Sequence, residues 1–187
     1  MHLFGSNAFD RLKITAKNPM APSRKKVILR RLDNSHLPAY LPASGLLTPD
    51  ASATLDLIDL AGRIVPLPLD EVKLISYVRD FNLDDPTNPE RLTRTTFLSR
   101  PRAEGLWIRI TFPAGDQLEG LAPLDTALLD ALTIDAGLYL TPPDDRTNTH
   151  RVFVPRAAIA AFQVLAVITT PSRTAKPPKD PQPLLFP

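Results

Sequence analysis

Proline constrains this chain more than any other residue, because it recurs along the whole sequence and rules out long regular helices. The 187 residues include 21 prolines, well above the usual share. A proline inside a helix removes one backbone donor and clashes with the preceding turn. The sequence therefore predicts short strands joined by turns and loops, with little helix.

The apolar strand-like sequence falls into two blocks. Between them lies the polar stretch LDDPTNPERLTR (83–94), which two prolines interrupt. The last seventeen residues contain six prolines and have the composition of a disordered tail. We therefore predict five parts: a flexible N-terminal segment (1–25), a first β module (26–82), a linker or long loop (83–104), a second β module (105–170) and a Pro-rich disordered tail (171–187).

The two β modules resemble each other in the order and spacing of their residues, which indicates an internal repeat. Pro68 aligns with Pro155 and Ile75 with Phe162, while Val27 at the start of the first module aligns with Trp107. The expected fold is all-β and mainly antiparallel, with two small five-stranded barrel-like modules packed together. Its strands are expected at 27–32, 37–41, 53–59, 63–67, 72–79, 107–112, 117–121, 137–141, 151–154 and 159–168, with a helical turn within 124–133.

The last strand of each module is apolar on both faces, whereas a strand with one wet face alternates apolar and polar residues. Both faces of these strands should therefore be covered, by the other module or by another subunit. The pattern predicts an interaction surface that includes Ile75, Tyr77, Arg79, Phe162 and Val164.

The basic character of the chain belongs to its ends. Residues 1–26 hold six basic residues and one acidic residue, and residues 168–187 hold three and one. Between them lie thirteen basic and eighteen acidic residues. An acidic body repels a phosphate backbone on average, so nucleic acid is the less favoured partner.

Four arginines near the start of the second module form a candidate ligand site with a tryptophan. Guanidinium groups grip phosphate, and an aromatic face can stack on a base. The candidate residues are Arg91, Arg94, Arg100, Arg102 and Trp107. In the alternative interpretation, the arginines pair with carboxylates and Trp107 is structural. It is then covered by the preceding RPRAEG segment (100–105) or by the other module, and its indole N–H is bonded to a backbone carbonyl.

The residues give little support for catalysis or metal binding. The chain has no cysteine, its three histidines are scattered, and no nucleophile stands beside a base in a recognisable motif. The loop PPDDRTNTHR (142–151) lacks the glycine and terminal glutamate of a calcium loop, so we interpret it as a solvated hairpin loop. We expect a cytoplasmic, non-catalytic protein with no metal, no cofactor and no membrane span.

The second module resembles the Sm-like fold, in which five short bent strands build a small barrel. The matching positions of its first motif are Phe112, Gly115, Leu118, Gly120, Asp125 and Leu128. The chain departs from the family at Leu129, where asparagine is expected, and at Pro155-Arg156, where the second motif has Arg-Gly or Lys-His. Those missing residues form the RNA-base pocket of the family, so RNA binding is not implied.

Several strings are similar to an uncharacterised bacterial family of unknown function. They are YVRDF (77–81), FLSRPR (97–102), GLWIRITF (105–112), LEG (118–120) and PPD (142–144). This resemblance implies no activity. The function expected from the sequence is an interaction or scaffold module with an unknown protein partner or with itself; the alternative is nucleic-acid or nucleotide binding through the arginines and the basic tails.

Overall fold

A computed structural model describes residues 24–42, 54–124 and 137–169 of the chain. The first five strands, here the first unit, are β1 (Lys26–Arg31), β2 (His36–Tyr40), β3 (Thr54–Ile58), β4 (Ile64–Pro68) and β5 (Val72–Val78). The second unit comprises β6 (Gly105–Thr111), β7 (Gln117–Ala122), β8 (Gly137–Leu140), β9 (Thr149–Pro155) and β10 (Ala161–Ile168). The expected tails and nearly all of the expected helical turn at 124–133 lie outside the described residues.

The strands form two antiparallel sheets, which confirms the all-β prediction. Seven strands follow the order β4-β3-β2-β1-β5-β9-β8, and three follow the order β10-β6-β7. The sheets are open, and neither unit closes into a barrel. The reason lies in β5, which has β1 on one side and β9 of the second unit on the other. With both of its edges paired, β5 cannot also pair with β4 to close a barrel.

The order of neighbouring strands is the same in both units. The first unit follows β5-β1-β2-β3-β4, and the second follows β10-β6-β7-β8-β9, with β7 and β8 joined by a single bridge between Leu121 and Thr141. In each unit the fourth strand ends at a proline, Pro68 or Pro155, and one turn of 3-10 helix leads to the last strand. The aligned prolines therefore occupy the same structural position.

The first strands correspond with a shift of one residue from the alignment made on sequence. Val27 and Leu29 point into the core of the first unit, and Ile108 and Ile110 point into the core of the second. Val27 therefore corresponds to Ile108 and not to Trp107. Because side chains alternate between faces, a one-residue shift exchanges the buried and the outer positions of a strand.

Each unit has its own core, but side chains from each unit also pack in the core of the other at the joint between β5 and β9. Phe153 of the second unit packs in the first core, directly opposite Ile75. Leu74 of the first unit packs in the second core. The two units are therefore parts of one packed structure.

The segment 83–104 connects the units without any strand and is held to both of them. Arg30 Nε of the first unit donates to Glu90 Oε1 over 2.6 Å, and Thr149 of the second unit donates to the Glu90 carbonyl over 2.8 Å. Asn148 donates to the Pro89 carbonyl over 3.0 Å. These contacts make the segment a packed loop.

Candidate functional site

The arginines singled out in the sequence divide between two surface depressions. Arg94, Arg100 and Arg102 line one cleft of about 500 Å³, which we call the arginine cleft, and Arg146 from the loop before β9 joins them there. Arg91 lies in a neighbouring groove beside Asp80 and Asn148. The structure thus assembles three of the four predicted arginines and adds one that sequence reasoning missed.

Arg146 reaches the cleft because its loop is anchored at several points. Arg79 donates from its guanidinium to the carbonyls of Thr147 and, over 3.1 Å, of Asp145. The buried Asp144 carboxylate accepts from the Thr93 hydroxyl and, over 3.0 Å, from the Arg94 backbone N–H. The interpretation of 142–151 as a solvated loop was therefore wrong for its buried members, because these bonds hold it against the first unit.

The arginine cleft carries an excess of positive charge. Arg100, Arg102 and Arg146 are exposed, and none of them makes an ion pair with any described residue. Arg94 lies 3.8 Å from the Asp144 carboxylate. Among the described residues that line the cleft, Asp145 is the one acidic residue. Unpaired guanidinium groups that face one cleft can hold an anion such as a phosphate.

Beneath this region, the buried carboxylate of Glu119 on β7 gathers four hydrogen bonds. Its Oε1 accepts two from Arg109, over 2.6 and 3.1 Å. Its Oε2 accepts one from the Phe97 backbone N–H over 3.0 Å and one from the Trp107 indole over 3.1 Å. Burial raises the pKa of this carboxyl, but the bonds from Phe97, Arg109 and Trp107 outweigh it and hold the pKa below 4.5.

Trp107 is a half-buried part of this network. The Phe97 ring, which precedes the RPRAEG segment expected to cover the tryptophan, packs against the indole edge to face with centroids 5.9 Å apart. The expected backbone carbonyl partner was wrong, because the indole N–H donates to the Glu119 carboxylate. Trp107 does not line the arginine cleft, whereas Phe97 does.

The predicted interaction residues also divide. Ile75 and Tyr77 are buried in the joint with β9, so they are not available to a partner, and Arg79 is occupied in holding the loop before β9. Phe162 and Val164 on β10 remain exposed, at 42% and 49%, and Val167 joins them at 53%. The expectation of covered faces thus holds for β5, while the described residues leave β10 uncovered.

These three apolar side chains lie on the core-facing side of β10, at the edge of its sheet. Phe162 lies opposite Ile110 and Val164 opposite Ile108, both of which are fully buried. Directly opposed residues of antiparallel strands point to the same face. The core of the second unit therefore opens to solvent along β10, and we call this strip of Phe162, Val164 and Val167 the apolar edge.

Within the described part of the chain, no group of three or more His, Asp or Glu side chains is placed to hold a metal ion. No helix in the same residues is both long and apolar enough to cross a membrane. Most of the predicted site residues that remain exposed lie in the arginine cleft and on the apolar edge.

The fold and these two surfaces define an all-β protein of two five-stranded units with the same strand order. Residues 23–166 match the model of a family of unknown function, DUF6982, and the chain belongs to that family. This confirms the expectation of an uncharacterised family. No curated protein and no solved structure matches the chain.

Proposed function

We propose that this protein is a non-catalytic interaction module whose binding surface is the apolar edge of β10. The observation that carries the proposal is the position of Phe162, Val164 and Val167, which continue a buried core out to an unpaired strand edge. An uncovered edge strand presents backbone donors and acceptors in the geometry that another strand requires.

The strand β10 lacks the features by which proteins protect an exposed edge. Such edges carry charges, prolines or very short strands. β10 is eight residues long, AFQVLAVI, and contains neither a charged residue nor a proline. Covering its half-exposed apolar side chains would gain about 25 cal/mol for each Å² removed from water. The edge is thus suited to receive a strand.

The proposal also includes the evolutionary origin of the two units and the cellular compartment of the protein. The common strand order and the matching positions of Pro68 and Pro155 support a duplicated, Sm-like five-stranded unit. The absence of cysteine suits a reducing compartment, and the family resemblance suggests a bacterial one. We place the protein in the bacterial cytoplasm.

A charge placed in the apolar edge should abolish binding. We expect Val164→Lys to reduce the amount of protein captured on the tagged chain at least tenfold, and this includes further copies of the chain itself. The reason is that burying an ammonium group against a partner strand is costly. Capture from a lysate of the source organism, with quantitative mass spectrometry, measures this.

Leu83→Lys is the matched control, because Leu83 is an apolar residue exposed on a loop between the two units. Circular dichroism must show that both variants fold. If Val164→Lys captures the same proteins as the unaltered chain, the apolar edge is not the binding surface.

The arginine cleft supports a second candidate function, the binding of a nucleotide. The specific observation is that Arg100, Arg102 and Arg146 share one cleft without any carboxylate partner among the described residues. Its volume of about 500 Å³ lies within the usual range of small-ligand sites. The Phe97 ring in its lining offers an aromatic contact.

Neutralising two arginines of the cleft should weaken nucleotide binding. Each hydrogen bond to a charged group contributes about 1.5–3 kcal/mol, so the Arg100→Gln, Arg102→Gln double variant should bind fluorescent ATP at least tenfold more weakly. Binding to the unaltered chain should also weaken as salt rises. Arg91→Gln, which removes a charge from the neighbouring groove, should remain within about twofold of the unaltered chain. Equal binding by all three proteins would exclude the cleft.

A further inference from the structure

The joint between the two units shows how this chain covers the edge of a last strand. In the joint, Ile75 of β5 lies opposite Phe153 of β9, and Tyr77 lies opposite Arg151. Ile75 and Tyr77 are buried, and Phe153 is a member of the first core. A fourth strand of one unit thus completes the core of the other along its last strand.

Among the described strands, the same two kinds of edge remain unpaired. β10, the last strand of the second unit, pairs there with β6 alone, and β4, the fourth strand of the first unit, pairs there with β3 alone. Each unit has the same order of strands. β10 therefore corresponds to β5, and β4 corresponds to β9.

Individual residues correspond as well. Pro68 at the end of β4 lies opposite Thr54, and Pro155 at the end of β9 lies opposite Gly137. Counting back from these two prolines, Pro66 corresponds to Phe153 and Ile64 corresponds to Arg151. On the last strands, Val164 corresponds to Tyr77 and Phe162 corresponds to Ile75. The first strands show this, because Val164 pairs with Ile108 where Tyr77 pairs with Val27, and Phe162 pairs with Ile110 where Ile75 pairs with Leu29.

Both unpaired edges expose apolar groups at these corresponding positions. Pro66 is exposed, although its equivalent Phe153 is buried in the joint. Ile64 is 70% exposed, at a position where its equivalent Arg151 is also exposed. Phe162 and Val164 are half-exposed, although their equivalents Ile75 and Tyr77 are buried. Neither β4 nor β10 carries a charged residue, but β4 carries two prolines, Pro66 and Pro68, which limit its hydrogen bonding to another strand. Each edge therefore exposes apolar groups next to unpaired backbone, and β4 and β10 are the two kinds of strand that pair in the internal joint.

We propose that the partner of the apolar edge is a second copy of this chain, whose β4 pairs with β10 in the way that β9 pairs with β5. This inference rests on the proposed function. The pairing places Ile64 of one copy opposite Val164 of the next and Pro66 opposite Phe162. It joins different surfaces head to tail, so successive copies form a ring if the rotation closes and a filament if it does not.

The proposed contact should be weaker than the internal joint between β5 and β9. Pro66 has no backbone N–H, so the intermolecular ladder has one donor fewer than the ladder between β5 and β9. The association is therefore reversible and depends on concentration. A symmetric pairing of β10 with β10 is the competing arrangement, and it would leave the exposed Ile64 and Pro66 uncovered.

Two lysine variants of the full chain test the direction of the contact. Val164→Lys blocks the β10 edge. Pro66→Lys blocks the β4 edge, because it sets a charge opposite Phe162, at the position where the internal joint buries Phe153. We expect the unaltered chain to form species larger than a dimer as its concentration rises in sedimentation velocity, and each variant alone to sediment as a monomer. An equimolar mixture of the two should form a heterodimer, because each supplies the edge that the other has lost.

Every other result overturns the inference in a distinguishable way. Self-association of Pro66→Lys by itself would show symmetric pairing through β10. A monomeric unaltered chain at all concentrations, or a monomeric mixture of folded variants, would exclude a second copy as the partner. If Val164→Lys still loses captured proteins in that case, the proposed function stands and the partner is a different protein.

Discussion

Replacing Phe153 by alanine is expected to lower the free energy of unfolding by about 3–5 kcal/mol, the usual cost of deleting a fully buried phenylalanine. Phe153 is 1% exposed, lies opposite Ile75 in the joint and packs on the Tyr139 ring with centroids 4.8 Å apart. Its removal leaves a cavity where the second unit completes the core of the first. Urea unfolding followed by circular dichroism measures the change.

Phe162→Ala provides the matched control for this prediction. It deletes the same side chain from the exposed edge of β10, where 42% of the residue is already in water. The loss should be about 1 kcal/mol at concentrations where the chain is monomeric, because much less apolar area is uncovered. Equal losses for the two variants would contradict the role given to Phe153 in joining the units.

The second large effect is expected at Glu119. Replacing it by glutamine keeps the shape of the side chain but removes the charge that pairs with Arg109, and it sets an amide N–H₂ against groups that are themselves donors. Loss of one partner from a buried pair costs about 3–5 kcal/mol, and since Arg109 is about one-third exposed we expect about 2–3 kcal/mol here. Urea unfolding at neutral pH measures the loss.

This loss should depend on pH in a definite direction. The folded protein holds the pKa of Glu119 below 4.5 through the bonds from Phe97, Arg109 and Trp107, which outweigh the effect of burial. A lowered pKa in the folded state gives stability that is present above about pH 4.5 and disappears as the pH falls through the folded pKa. The difference between Glu119→Gln and the unaltered chain should therefore shrink in acid.

Glu71→Gln is the control for both measurements, because Glu71 is exposed and makes no carboxylate hydrogen bond among the described residues. Its effect should stay within about 0.5 kcal/mol, as for most surface substitutions. A Glu119→Gln variant that is as stable as this control at neutral pH would contradict the network described around Trp107.

The candidate site was only partly predictable. Arg94, Arg100 and Arg102 are close in sequence, so their cluster could be recognised there. Arg146 is more than forty positions later, and its place in the cleft depends on the bonds that Arg79 and Asp144 make across the fold. Glu119 gave no signal, because one acidic residue in a strand looks the same whether it is solvated or bonded to four donors.

The sequence by itself determined the local structure of this protein. Its prolines and turn residues delimit strands whose bounds the structure places within about two residues, since these signals act on the backbone near them. Only the tertiary structure decided which strands became neighbours. β5 and β10 are similarly apolar, yet β5 is buried between β1 and β9 while β10 is left at an edge. The apolar pattern of a strand indicates that its faces should be covered, but it does not indicate which strand covers them. That strand comes from a distant part of the chain or, as we propose for β10, from another copy.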